Sequence, residues 1–473
     1  MRRKAQVFLT FDVEDPVTPA SDDAVVWLAD LLREKDVNGA FFLTGDKARA
    51  LRQRQRLDVF EALRGHDVGY HTNHHSTHPT VAEYLEPHGW ADGVAEVVRR
   101  ELSGADLIRE LSGRQLCGFA TAGTSWGPHV PGALAALGIP AHVHSFSRTG
   151  GGHNPHWYAG ALCFARSEAV GPVEDDLQDQ ARFAELLGRL PQLIKEAAES
   201  EDRILHLYVG HPTIFVNQEF WDGLNYASGR NPEPGVALTA PRPRSSGGTR
   251  TMLDNLALLI DTVQASPDAE FVAFSDLVAA RRTEPTFREG WFTTALAEAA
   301  KTDDIRTTSR TVSPAQLLHA VCRAVQGEDV NRSGPGGDVL GPVELPKPGE
   351  PVDHPAGLDH EQLRAVAASV RRTVAATGTL PAVARADGIA VPVATLYRSL
   401  LEFTARGGAD VLRALPETVP LTAGTEFPWI ADEISEHYGR RVRRWMHRPD
   451  LDVTELMRLT RAQTWSLRAT ASG

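Results

Sequence analysis

Cysteine is scarce in this chain of 473 residues: Cys117, Cys163 and Cys322 are far apart and odd in number. Neither a disulfide framework nor a CxxC-type metal knuckle can be read from them. Long apolar runs are missing as well. The N-terminus, MRRKAQVFLTFDVED, starts like a secretory leader, but its apolar run VFLTF stops at Asp12. That is short of the roughly 7–15 residues of an h-region. No stretch reaches the roughly 18–20 apolar residues of a membrane span. Nor is there an excess of basic charge: 49 Lys+Arg against 61 Asp+Glu leave a net charge of −12. Phosphate backbones and anionic lipid are therefore poor partners. The expectation is a cytoplasmic protein that binds no nucleic acid and no membrane, with a homo-oligomer left open. What remains, 42 % apolar and 23 % charged residues, suits a globular chain of two or three domains.

Up to about residue 282 short apolar runs alternate with amphipathic helical segments. Strands are expected at 6–11, 39–44, 68–70, 117–120, 141–145, 204–209 and 270–273. Helical patterns fall between them, at 23–34, up to 63, and at 93–112, 130–138, 181–199 and 252–265. Such β-then-α units predict parallel strands with crossover helices. About seven of them fit an α/β fold of the distorted (β/α)7-type barrel, with chemistry where strands end and loops begin. The expected organisation is a barrel over 1–282, a connector over 283–310 and a C-terminal α-helical domain over 311–473. In the last, residues 327–358 are rich in Gly and Pro and read as a loop. Residues 289–326 read as helical, with Ser313-Pro-Ala as a cap, and helical patterns resume after the loop at 360–376, 392–404, 428–446 and 453–467.

Three stretches carry candidate chemistry. His71-Thr-Asn-His74-His75-Ser-Thr-His78 holds four histidines, whereas 18 in the whole chain predict about 0.3 in such a window. Spaced i and i+4, His71 and His75 share one face of a helical turn and can address one ion. His66, His74 and His78 are expected to be supporting or surface residues. Asp12-Val-Glu14-Asp15 follows the first strand directly. Asp12 and Glu14 share a face if the segment is extended, Asp15 lying opposite. Crowded carboxylates need a cation or a partner, and one carboxylate with two histidines is a catalytic zinc set that leaves room for water. In Ile204-Leu-His206-Leu-Tyr-Val-Gly-His211, His211 emerges at the end of an apolar run, where an imidazole titrating near neutrality suits a general acid. His206, inside the run, is expected to be packed.

Taken in order, these stretches resemble the polysaccharide deacetylase (NodB homology) superfamily over residues 5–280. Thr10-Phe11-Asp12 is similar to its opening strand, Ala40-Phe41-Phe42 to its second, His71-Thr72-Asn73-His74-His75 to its metal motif, and the run into His211 to its last catalytic strand. The sequence TFDVED places the chain beside the subgroup with Asp-Val-Glu-Asp. The resemblance implies Asp12 as catalytic base, His211 as acid, and His71, His75 and Glu14 or Asp15 as metal ligands, with spacing favouring Glu14. It implies a divalent metal, Zn²⁺ first, with Co²⁺ or Ni²⁺ able to fill the same set. The family's Arg-x-Pro-Tyr motif is absent after the fourth strand, where Ala120-Thr-Ala-Gly-Thr124-Ser-Trp126 stands instead. The arginine that steadies the catalytic aspartate is thus missing, while Trp126 and Thr124 are candidates for substrate contact. The implied function is a metal-dependent hydrolase removing an acetyl group from an N-acetylated sugar or sugar-bearing metabolite. Alternatives are an allantoinase-like hydrolase of a linear or cyclic amide, and a non-catalytic carbohydrate-binding protein.

Overall fold

The computed structural model describes residues 3–123, 125–144, 155–166, 170–282, 287, 289–300, 312–344, 357–405 and 447–470. In chain order the strands are β1 (Ala5–Val13), β2 (Gly39–Leu43), β3 (Asp67–Tyr70), β4 (Phe119–Ala120), β5 (Ala141–His144), β6 (His156–Tyr158), β7 (Ala161–Ala165), β8 (Ile204–Gly210), β9 (Ala269–Phe271), β10 (Val383–Ala386), β11 (Ile389–Pro392) and β12 (Arg468–Ala469). Ten of them form one sheet in the order β12-β6-β7-β5-β4-β3-β2-β1-β8, with β9 also pairing with β1. Pairings from β7 through β5, β4, β3, β2 and β1 to β8 are parallel, whereas the β7–β6 and β6–β12 pairings are antiparallel. Helices alternate with the strands, so the architecture is a distorted (β/α) barrel with additional C-terminal helices.

Both faces of the sheet are covered, which is why its strands read as continuous apolar runs. On one face Val7, Leu9, Phe11 and Val13 pack with Val25, Leu28 and Leu32 of the helix Ala20–Glu34. On the other, Phe8, Ala40, Phe42, Val143 and Phe164 pack against one another and against Phe274. Phe8 on β1 and Phe164 on β7 lie five strands apart in the sheet, yet their ring centroids are 6.1 Å apart. Only a curled sheet permits that contact, and the curl gathers the C-terminal ends of β1, β3, β7 and β8 around one rim.

The C-terminal residues are helical at Trp291–Ala299, Pro314–Val325, His360–Thr377, Val393–Ala405 and Thr454–Ala462. The first two of these fall in the stretch 289–326 that reads as helical, and the hairpin β10–β11 interrupts the helices that follow. The helix expected at 428–446 falls outside the described residues. Several late residues meet the barrel directly. Strand β12 pairs with β6, the Trp126 indole N–H donates to Thr460 at 3.0 Å, and the Tyr158 hydroxyl donates to the Thr460 carbonyl at 2.9 Å. Trp126 and Trp465 are among the largest fully buried side chains, each typically worth several kcal/mol, about 3–5, against truncation to Ala.

Candidate metal centre and active site

Asp12 is the penultimate residue of β1, paired in register with Phe42, and Glu14 follows just beyond the strand; both are 2 % exposed. The segment after them is pinned by Lys47, whose buried ammonium donates to the Asp15 carbonyl, Ser21 and Asp22. Burial pulls the Lys47 pKa down, with Asp22 acting against it. His71 and His75 come from the loop after β3. The first amides of the helix Gly45–Gln53 donate to the carbonyls of Thr72 and Asn73. The Glu101 carboxylate accepts from the Asn73 amide at 2.7 Å, and Thr72 Oγ1 accepts from the His75 amide at 3.1 Å. Gly45 permits this approach, since a Cβ there would lie 2.1 Å from Asn73 Oδ1.

The two imidazoles converge differently from expectation. Residues 71–75 form no helical turn. Instead Thr72 (φ 67°) and His75 (φ 44°) take left-handed backbone conformations that fold the loop back on itself. Such conformations are costly for residues other than glycine and persist where surrounding bonds impose them. Each ring is held by its Nδ1. That of His71 donates to the Ala120 carbonyl at 3.0 Å, and that of His75 to Ser76 Oγ at 2.7 Å, Ser76 in turn donating to Asp222 at 3.0 Å. Both Nε2 atoms then face one carboxylate oxygen, Glu14 Oε2, at 3.1 Å from His71 and 2.8 Å from His75. Glu14 Oε1 accepts from the Trp221 indole N–H at 3.1 Å. Two imidazole lone pairs and a carboxylate aimed at one point are mutually repulsive unless a proton or a cation lies between them. The donor set and its outer hydrogen bonds fit a divalent ion.

Asp15 is not brought to this cluster. Its Oδ1 caps the turn through the amides of Val17 and Thr18, and its Oδ2 accepts from Thr213 at 2.6 Å. Of the two carboxylates considered for the ion, the geometry offers Glu14. His74 pairs with Asp46 at the surface, His78 with Glu83, and His66 hydrogen-bonds the Ala29 carbonyl. His206 is packed as expected: it stacks on Phe8, bonds Thr10 at 2.7 Å, and burial lowers its pKa to about 3.

His211 does reach the same rim. Between Thr10 and Phe11 the β1–β8 register shifts, so that Tyr208 sits opposite Thr10 and Gly210 opposite Phe11. Gly210 (φ 109°) leaves space for Glu174, whose carboxyl a Cβ would strike at 2.3 Å. Glu174 accepts from the His211 backbone amide at 2.5 Å and from its Nδ1 at 2.8 Å. Burial acts to lower the His211 pKa, but Glu174 first and Glu14 second outweigh it and push it up to about 10. The Glu14 contribution weakens if a cation neutralises that carboxylate, whereas the Glu174 contribution does not. His211 Nε2 meets the Tyr208 hydroxyl at 2.9 Å, and that hydroxyl donates to Asp12 Oδ2 at 2.8 Å.

The arginine missing from the loop after β4 is supplied from another strand. Arg166, immediately after β7, donates to Asp12 Oδ2 at 2.6 Å and lies 3.6 Å over the Tyr208 ring. Burial raises the Asp12 pKa, but Arg166, then His71 and His211, hold it below the usual carboxylate value. Asp12 Oδ2 is thus occupied by Arg166 and Tyr208, while the buried Oδ1 has no hydrogen-bond partner among the described residues. Nothing in the sequence marked Arg166, since it follows an ordinary apolar run. Replacing Arg166 with Met is expected to raise the proton affinity of Asp12 and move the acid limb of a pH–rate profile to higher pH. Lys should restore part of the shift; an unmoved limb would deny Arg166 this role.

Trp126, expected as a substrate contact, is 2 % exposed and packs against His142, His144 and Tyr158 beneath Thr460. It is a core anchor, covered by residues that arrive from the far end of the chain. Thr124 lies outside the described residues. The solvent-facing side of the site is instead His211 and Arg166, whose side chains are 16 % and 13 % exposed.

Carboxylate and imidazole donors at the strand ends of a distorted (β/α) barrel are the arrangement of metal-dependent hydrolases. Residues 2–142 match the polysaccharide deacetylase family, so the N-terminal part of the chain is homologous to those enzymes. No match is found among curated proteins. Similar solved structures include a Mycobacterium smegmatis protein described as a candidate polysaccharide deacetylase (15 % identity, TM-score 0.36, 59 % of this chain and 91 % of that one). Another is the peptidoglycan deacetylase PdaC from Bacillus subtilis (12 %, 0.31, 60 % and 95 %). A third is a CE4 family pseudoenzyme from Bacillus anthracis (15 %, 0.26, 45 % and 58 %). The homologous segment and the Glu14–His71–His75 cluster together support a metal-dependent hydrolase of amide or acetyl groups.

Proposed function

We propose that this protein is a metal-dependent deacetylase of the Asp-Val-Glu-Asp subgroup, removing an acetyl group from an N-acetylated sugar or a sugar-bearing metabolite. The observation that carries the reading is the buried Glu14–His71–His75 cluster beside Asp12, whose Oδ1 is left without a partner among the described residues. Glu14, His71 and His75 would hold a divalent ion, Zn²⁺ first, which would supply Lewis-acid polarisation of the acetyl carbonyl. Asp12 Oδ1 takes a proton from the attacking water, whose oxygen bonds to the carbonyl carbon. His211 Nε2 gives its proton to the amide nitrogen as the C–N bond breaks, releasing acetate and a free amine. Arg166 and Tyr208 hold Asp12 ionised and oriented, and Glu174 keeps His211 protonated.

Arg166 favours an enzyme over a carbohydrate-binding scaffold, because it gives the base Asp12 the cationic partner that the loop after β4 lacks. In the same reading all reacting groups lie in residues 1–282, the C-terminal residues buttress the barrel, and three free buried cysteines accord with the cytoplasm. The test is acetate release from a panel of N-acetylated sugars. The metal-loaded protein should release acetate from at least one of them, lose the activity on chelation and regain it with Zn²⁺. Failure on every N-acetyl sugar, with turnover of a cyclic amide, would move the substrate class; failure on all would remove the enzymatic reading.

A further inference from the structure

A second group of donors lies on β5, β6 and β7. In register, His142 on β5 faces Cys163 on β7, and Cys163 faces His156 on β6. Side chains alternate along a strand, so His144 shares the face of His142, two residues before it. The result brings one imidazole from β5, one from β6 and the sulfur of β7 together. A nitrogen of His144, a nitrogen of His156 and the Cys163 sulfur all lie within 4.8 Å of one another, and all three residues are 0 % exposed. None of them belongs to the site described above.

Burial pushes the Cys163 thiol well above its ordinary pKa, so alone the sulfur stays protonated, its hydrogen bond a weak one to the Ala161 carbonyl at 3.6 Å. A bound cation reverses this, because a coordinating thiol loses its proton outright. Bonds of about 2.0–2.3 Å to tetrahedral zinc put donor atoms roughly 3.3–3.8 Å apart. The 4.8 Å that bounds the observed cluster exceeds that spacing by about 1 Å. Two imidazoles and a thiolate also select a softer ion than Mg²⁺ or Ca²⁺.

We propose that His144, His156 and Cys163 bind a second divalent ion, zinc, in a structural site that ties the β5–β7–β6 edge of the sheet to the C-terminal residues. The structural role follows from what covers it. His156 is the register partner of Ala469 on β12, Trp126 packs on His144 while bonding Thr460, and the Ala159 amide donates to Ser466. Substrate has no approach to fully buried ligands, so the ion's free energy of binding goes into holding these layers together.

Cobalt substitution separates the two sites, because only the second contains sulfur. Protein reconstituted with Co²⁺ should show a thiolate-to-cobalt charge-transfer band in the near ultraviolet. The band should survive in a His71→Ala/His75→Ala variant, whose metal content falls from about two ions per chain to about one. It should vanish in Cys163→Ser. Should Cys163→Ser not fold, the wild-type and His71→Ala/His75→Ala spectra decide alone. Cobalt-loaded protein without the band, or a band that persists in folded Cys163→Ser, overturns the second site. A cobalt content that the His71→Ala/His75→Ala change leaves untouched would instead count against the first.

Discussion

Replacing Asp12 with Asn should leave the metal content unchanged and lower turnover by about 10²–10⁴, the range for losing a positioned general base. Asn preserves the shape of the side chain, but its amide cannot accept a proton as a carboxylate does. Asp12 Oδ2 is 3.9 Å from His71 Nε2, whereas Glu14 Oε2 lies between the two Nε2 atoms at 3.1 and 2.8 Å. Glu14→Ala should therefore show the opposite pattern, with metal occupancy falling and activity falling with it. Elemental analysis beside a rate measurement distinguishes the two. If Asp12→Asn loses metal while Glu14→Ala retains it, the roles are exchanged.

His211→Ala should bind metal normally and lose about 10²–10⁴ in kcat on an amide. On an activated ester, whose leaving group departs without a proton, the loss should be much smaller. Equal losses would leave His211 a binding residue only. Its partner offers a finer measurement. A general acid works while protonated, so activity is present below its pKa and is lost as the pH rises through it. Glu174 is the largest influence raising that pKa to about 10. Glu174→Gln removes the charge and keeps a hydrogen-bond acceptor, so the alkaline limb should move to lower pH. A limb that stays in place would mean that it reports another group.

The elements that carry the site were legible where local pattern and function coincide. Apolar runs that stop at Asp12 and His211 are strands whose ends hold chemistry, and the structure places both residues on one rim. The hairpin β6–β7 was not legible as two strands. Its turn, Ala159 (φ 50°) and Gly160 (φ 80°), requires two left-handed residues, and Ala-Gly lacks the Asn-Gly or Asp-Gly signal that announces such turns. Arg166 was hidden for a related reason. A lone arginine after a short apolar run has no periodicity, and its link to Asp12 spans 154 positions of sequence. Trp126 shows the converse. A tryptophan in a glycine-containing loop looks available to a ligand until Thr460, 334 positions later, is seen to accept its N–H.

That last separation bears on how the chain is made. Strand β6 has β7 on one side and β12 on the other, and β12 emerges from the ribosome some three hundred residues after it. At elongation rates of about 5–20 residues per second, the β6 edge stays open for roughly 15–60 seconds while later segments are synthesised. An uncovered strand edge is a template for pairing with another chain. Nascent polypeptides of this protein are thus most vulnerable to mutual association during that interval, at the end of the sheet farthest from β1, and a stalled ribosome would prolong the exposure.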